Sequence, residues 1–128
     1  SPGGEVPSGL AIYDVMKAVG CPVRTICTGT AASVAAVLFL SGDRRDMLPP
    51  AKVMIHDPLI PGGVGGSALN VDAIARNLMQ TRRTVAEIIS AHTGKSLEEV
   101  LDKTASDSYF DAGEAVEWGL ADRVIHQL

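Results

Sequence analysis

Aromatic side chains are scarce in this 128-residue chain, where Phe, Tyr and Trp together make up only 4%. Its core must therefore be aliphatic, built from Val, Ile, Leu, Met and Ala. Cysteine is nearly absent too: Cys21 and Cys27 are the only two. They lie six apart, without metal-ligand spacing, which predicts reduced packing thiols in a cytoplasmic protein and no metal site. There is no run of basic residues, and the net charge is −4. That balance argues against nucleic acid or an anionic membrane surface as a partner. Long apolar runs are missing as well. The longest, Ala31 to Leu40, is about half of what a membrane span needs, and no secretory signal is present.

What remains is a chain that is 46% hydrophobic, of a length that suits one domain burying roughly two-thirds of its unfolded surface. Its centre of interest is Gly29-Thr30-Ala31-Ala32-Ser33-Val34-Ala35-Ala36. Val23 to Thr28 read as a strand running into Gly29, and Val34 to Leu40 as a helix leaving it. A strand, a glycine turn and a helix place Ser33 in the first helical turn among small neighbours. A hydroxyl there lies beside backbone N–H groups that have no intrahelical partner, at the positive end of the helix dipole. The same groups can hold an oxyanion, so Ser33 is a candidate acyl-transfer nucleophile.

Along the chain, Ser1-Pro2-Gly3-Gly4 is a turn signal whose paired glycines let backbone come close to another segment. Ser8 is expected to cap a helix to about Val19, which Gly20-Cys21-Pro22 stops. The Ser33 helix ends at Ser41-Gly42, Asp43-Arg44-Arg45-Asp46 reads as a solvated turn, and Met47-Leu48-Pro49-Pro50 as an edge-type connection. Val53-Met54-Ile55-His56 is a short buried strand ending on a histidine, broken by Asp57-Pro58. Strands and helices alternating without hairpin turns favour a parallel, right-handed α/β arrangement, with its site at the carboxyl ends of strands. Thr28-Gly29 and Ile55-His56 are two such ends, so Ser33 and His56 can meet.

Leu59 to Ser67 is glycine-rich but lacks the lysine and spacing of a phosphate loop. It reads as flexible or extended, either a linker or an edge strand that pairs with a peptide. The longest helix spans about Leu69 to Ala91, closed by Thr93-Gly94. It is longer than a globule of this size needs, which predicts packing on another subunit. Ser96-Leu97-Glu98-Glu99 and Asp111-Ala112-Gly113-Glu114 are capping-box patterns. They open helices to about Lys103 and through Trp118; Asp107 lies in a polar loop between them, and Ala121 to Ile125 is a last strand.

Several of these stretches occur in one order: Ser1-Pro2-Gly3-Gly4, Gly29-x-Ala31-Ala32-Ser33, Val53-Met54-Ile55-His56-x-Pro58, His92-Thr93-Gly94 and Glu114-Ala115-Val116-Glu117-x-Gly119-Leu120. Over its whole length the chain resembles the proteolytic subunits of the caseinolytic (Clp) proteases. The resemblance implies a serine endopeptidase of crotonase-like α/β fold, with repeated β-β-α units, a parallel sheet and a protruding handle helix. It implies Ser33 as nucleophile, His56 as general base and Asp107 as the carboxylate orienting the histidine. Gly4 and Val34 match the positions whose N–H groups form the oxyanion hole. Gly62, Gly63, Val64, Gly65 and Gly66 match the region that binds substrate peptide as an added strand. The implied partners are other copies in heptameric rings stacked as a tetradecamer, a ring-shaped AAA+ Clp unfoldase, and unfolded protein substrates. No cofactor is implied in this subunit, because ATP is used by the unfoldase.

The chain departs from the family pattern in three ways. Members begin well before Ser1, so the expectation is a truncated subunit without the axial loops, with Gly4 at a frayed terminus and activity lowered accordingly. Ser106 stands where an arginine often links the rings. Val34-Ala35 replace a commoner Met-Gly after the serine, a change expected to alter packing near the first substrate pocket. Two other readings compete: an inactive structural subunit of a mixed ring, suggested by Ser106 and the short start, and an acyl-CoA enzyme sharing the topology. The second lacks an obvious pair of carboxylates for thioester chemistry.

Overall fold

Six short strands form two three-stranded sheets. In the computed structural model, which describes residues 1–128, β1 (Arg24–Cys27), β3 (Arg44–Met47) and β6 (Arg123–Val124) form the first sheet. The middle strand is β3, and both of its pairings are parallel. The second sheet joins β2 (Thr30–Ala32), β4 (Lys52–Ile55) and β5 (Ser108–Asp111). Here β4 is central, parallel to β2 and antiparallel to β5. The helices are α1 (Val6–Ala18), α2 (Val34–Leu40), α3 (Ala68–Thr93), α4 (Leu97–Thr104) and α5 (Ala112–Trp118). The α/β class expected from the alternation is found, with one antiparallel pairing that the expectation of a parallel sheet did not include.

The core is aliphatic, as the shortage of aromatics requires. Leu40, Met47, Val53, Ile55, Ile89, Val100 and Leu120 are all under 2% exposed. Helix α2 is buried along most of its length because it lies against both sheets, so its apolar residues show no polar face. Helix α1 crosses α2 where Gly9 meets the side chain of Val34; a methyl group at Gly9 would overlap Val34 Cγ2. Helix α3 starts at Ser67, whose hydroxyl accepts from the Asn70 N–H, and ends at Gly94, whose φ of 78° suits glycine. Its 26 residues make a rod about 39 Å long. Only its C-terminal half enters the core, through Val85, Ala86 and Ile89, while Leu69, Val71 and Met79 on the other half are exposed. No helix is long and apolar enough to cross a membrane.

Several local expectations are overturned. Asp43-Arg44-Arg45-Asp46 is not a solvated turn: residues 44–47 are the middle strand of the first sheet, and Asp46 is completely buried. Charge in the sequence conceals a strand whose ionic side chains are matched to partners. The carboxylate of Asp46 meets the guanidinium groups of Arg24, Arg44 and Arg123, and Arg45 pairs with Asp122 at 2.7 Å. Met47, read as part of an edge-type connection, is likewise wholly buried in β3. Helix α1 begins at Val6 with Pro7 in its first turn, and Ser8 is inside it. Proline's fixed φ suits that first turn, where a missing N–H is harmless. The stretch Ser1 to Gly4, expected to be frayed, is held against β2, since Ser1 N donates to Thr30 O at 2.8 Å and Ala32 N donates to Ser1 O at 3.1 Å. Finally, β5 follows Asp107 directly, where only a polar loop was expected.

Candidate active site

The glycine turn before Ser33 does not lead straight into a helix. It leads into β2, and Ser33 is the residue between β2 and α2. The strand end that carries the serine is therefore Ala32, not Thr28. Ser33 has φ 60° and ψ −128°, the only positive φ outside glycine in the chain. Such a conformation costs on the order of 1–3 kcal/mol and persists only where the surroundings enforce it. The enforcement is visible: Ser33 N donates to Met54 O at 2.9 Å, while Ser33 O accepts from Ala36 and Val37. A sharp strand-to-helix turn of this kind pushes the side chain out of both elements, toward the neighbouring strand end.

Strand register brings the partners in. Ala32 pairs with Met54 in the parallel β2–β4 ladder, so Ser33 and His56 leave neighbouring strands at the same edge. Ile55 pairs with Ser108 in the antiparallel β4–β5 ladder, which sets His56 opposite Asp107. Ser33 Oγ then lies 2.8 Å from His56 Nε2, and His56 Nδ1 lies 3.2 Å from Asp107 Oδ1. The histidine side chain is 17% exposed and the aspartate 61%. With the imidazole proton on Nδ1 and donated to Asp107, Nε2 is free to accept from the serine hydroxyl. The three predicted side chains thus form one continuous hydrogen-bonded line.

The two N–H groups predicted as oxyanion donors, those of Gly4 and Val34, have no hydrogen-bond acceptor within the chain. Val34 opens α2, so its N–H is one of those a helix leaves unpaired. The segment carrying Gly4 is fixed by Gly3, which the sequence marked only as one of two paired glycines that let backbone come close to another segment. Gly3 has φ +93°, and a Cβ there would stand 2.7 Å from Ala32 O, 2.7 Å from Ser33 Cβ and 3.2 Å from Val34 N. Backbone approaches the nucleophile here at a distance that only glycine permits. The paired glycines signalled such an approach without saying what would be approached.

A second unforeseen element braces the base. The Asp57 carboxylate accepts from Arg82 Nε at 2.8 Å, and Arg82 Nη2 donates to Leu101 O at 3.0 Å. Asp57 N donates in turn to Thr104 O at 2.8 Å. The residue after His56 is thereby tied to α3 and to the end of α4, three residues before Asp107. Nothing in the sequence marks Arg82 for this role, because its partners are distant along the chain.

Beside Ser33 and His56 opens a cleft of about 610 Å³, walled by Pro58, Leu59, Ile60, Ile74 and Leu78 among others. Gly62 to Gly66, predicted as substrate-binding, follow these residues as an exposed stretch outside both sheets. Gly62, Gly63 and Gly66 have positive φ. Tyr13 OH and His92 Nε2 lie 3.4 Å apart, away from this line of groups. Burial, helped by the charges of Lys17 and Arg45, holds the His92 imidazole below its ordinary pKa of 6.5. Burial likewise pushes the Cys27 thiol up, which makes it an inert packing group, while Cys21 is exposed and unpaired. No group of three or more His, Cys, Asp or Glu residues is placed to hold a metal ion.

The chain is 43% identical over 129 aligned positions to the ATP-dependent Clp protease proteolytic subunit of Porphyromonas gingivalis, an alignment covering 99% of this chain and 57% of that protein. It thus spans a little over half the length of that relative. The model of the Clp protease family matches residues 1–128 without remainder, and the chain belongs to the Clp protease family.

Proposed function

We propose that this chain is the peptidase part of a Clp-type proteolytic subunit, hydrolysing peptide bonds of unfolded polypeptides through an acyl-enzyme. The observation that carries the reading is the unbroken line from Ser33 Oγ through His56 to Asp107. In this reading His56 Nε2 takes the proton as Ser33 Oγ attacks the scissile carbonyl carbon. Asp107 holds the other ring nitrogen and stabilises the imidazolium that results. The carbonyl oxygen, now an oxyanion, turns toward the N–H groups of Gly4 and Val34. Each donor is worth roughly 3 kcal/mol of transition-state stabilisation. His56 then returns the proton to the leaving amine, and water repeats the sequence on the ester.

The apolar walls of the cleft beside Ser33 favour an apolar side chain at the residue whose carbonyl is attacked. We assign Gly62 to Gly66 to the substrate path, since their backbone groups, apart from Gly65 O, which accepts from Asn70 Nδ2 at 3.4 Å, are left to hydrogen bond to an extended peptide. The succession β1–β2–α2 and β3–β4–α3 supports a crotonase-like repeat of β-β-α units within a single domain. The exposed apolar half of α3 supports its use as a handle between copies, in heptameric rings paired as a tetradecamer. An ATP-driven unfoldase would supply unfolded chains, in keeping with the name of the Porphyromonas gingivalis relative. The test is labelling with a fluorophosphonate, the modified residue being located by mass spectrometry. The adduct is expected on Ser33 and is expected to vanish in His56→Ala. No adduct on folded, assembled protein would leave an inactive ring subunit as the better reading.

A further inference from the structure

Asp107 is the loosest member of the line that starts at Ser33. Its side chain is 61% exposed, and its bond to His56 Nδ1, at 3.2 Å, is longer than the 2.8 Å between His56 Nε2 and Ser33 Oγ. It lies in residues 105–107, between α4 and β5. His56 is in a similar position, because β4 ends at Ile55 and the β4–β5 ladder closes with the Ile55–Ser108 pair. Both residues stand one step beyond the last rung of the sheet. Groups placed there keep a productive geometry only where a second shell of contacts holds them.

That second tie lies on the far side of both residues. Asp57 N donates to Thr104 O at 2.8 Å. With the Ile55–Ser108 pair it closes residues 55–57 and 104–108 into a loop, and His56 and Asp107 are enclosed by it. One backbone bond is a weak closure, and Arg82 reinforces it from α3. Its Nε donates to Asp57 Oδ2 at 2.8 Å, and its Nη2 donates to Leu101 O, in the last turn of α4, at 3.0 Å. A single planar guanidinium therefore spans the two segments whose separation sets the His56–Asp107 distance. The two side chains are only 24% and 32% exposed, and a charge-assisted bond is stronger there than at an open surface. The other Asp57 oxygen, Oδ1, is buried without a partner. No second side chain would hold this carboxylate if Arg82 were lost. Arg82 itself bonds to none of the three triad side chains and is not in the wall of the cleft.

We propose that Arg82 is a positioning residue for the reaction: it fixes the separation of the His56 and Asp107 segments and so keeps the imidazole aligned on Ser33. The proposal rests on the serine peptidase reading above.

The test compares Arg82→Gln and Arg82→Lys with Arg83→Gln, whose guanidinium pairs with Glu87 on the surface of α3. Active sites are counted by fluorophosphonate titration, and kcat per labelled site and KM are measured with a fluorogenic peptide. A brace that served the fold alone would lower the melting temperature and the number of sites, and leave turnover per site unchanged. For Arg82→Gln the expected turnover per site is about tenfold lower at a KM within about twofold of the parent, since misalignment acts on proton transfer and not on binding. Lysine can restore the charge beside Asp57 but cannot also reach Leu101 O, so Arg82→Lys should recover only part of the loss. Arg83→Gln should match the parent. Unchanged turnover per site in Arg82→Gln would overturn the proposal, as would an equal loss in Arg83→Gln. Full turnover in Arg82→Lys would overturn it too, reducing the role to neutralising Asp57. Should Arg82→Gln not fold, Arg82→Lys decides alone: turnover per site below the parent's supports the proposal, and parent turnover ends it. An unlabelled Ser33 in the parent would instead remove the peptidase reading, and the positioning role with it.

Discussion

Gly3→Ala is the substitution that best separates the backbone machinery around Ser33 from its side chains. Alanine at φ +93° costs roughly 1–2 kcal/mol by conformation alone. The new methyl group would also stand 2.7 Å from Ala32 O and from Ser33 Cβ, whereas ordinary contact begins at 3.4 Å. The segment Ser1 to Gly4 must then withdraw by roughly 0.7 Å, because the opposing atoms belong to backbone and to the nucleophile itself. Gly4 N–H moves with it. A misplaced oxyanion donor lowers kcat by about 10²–10³, and displacements of this size suffice. The expected result with a fluorogenic peptide is a kcat about a hundredfold lower at nearly unchanged KM, since the lost bond forms only in the transition state. The melting temperature should fall by roughly 4–8 °C. Gly4→Ala is the control. Its Cβ would meet nothing within 4 Å, and its contribution is a backbone group, so it should stay near parent activity. Equal kcat for Gly3→Ala and parent would refute the argument, and so would equal losses in the two variants.

Three further expectations concern stability. Arg45 Nη1 donates to His92 O at 3.0 Å and Gly119 O at 2.8 Å, and Nη2 donates to Asp122 Oδ1 at 2.7 Å, closing the C-terminal ends of α3 and α5 onto β3. Arg45→Met should cost about 2–4 kcal/mol, read from urea midpoints at neutral pH; an unchanged midpoint would refute it. His92 is held below its ordinary pKa by burial first and then by neighbouring cations. The unfolded chain therefore takes up a proton before the folded one, so stability should be level above pH 6.5 and fall as pH drops toward the folded value. His92→Gln should remove that slope. Asp122 acts in a separate, more acidic window: its bond with Arg45 holds its carboxyl below 3.8, so its contribution is lost only as pH falls through that lower value.

What could be read in the sequence, and what could not, follows from the range of the forces involved. The N-caps of α4 and α5 were legible because Ser96 and Asp111 bond to N–H groups three residues away. Val53 to Ile55 was legible as a strand because it is apolar on both faces. The strand β3 was not, because its burial rests on Arg24, Asp122 and Arg123, up to 77 residues away, and local hydropathy carries no trace of such partners. The triad shows both cases. Ser33 and His56 were brought together by reasoning about strand ends, and they do meet, although the strand that delivers the serine is β2 and not β1. Asp107 had no local mark at all, since its position depends on the β4–β5 register; its candidacy came from the resemblance alone. The strain at Ser33 has the same origin. A serine forced to φ 60° is invisible in sequence, where the residue reads as part of the first turn of a helix. It becomes intelligible once Met54 O, the start of α2 and Gly3 are seen to hold it from three sides. Local chemistry selects the elements of this fold, and long-range pairing decides which of their ends become a site.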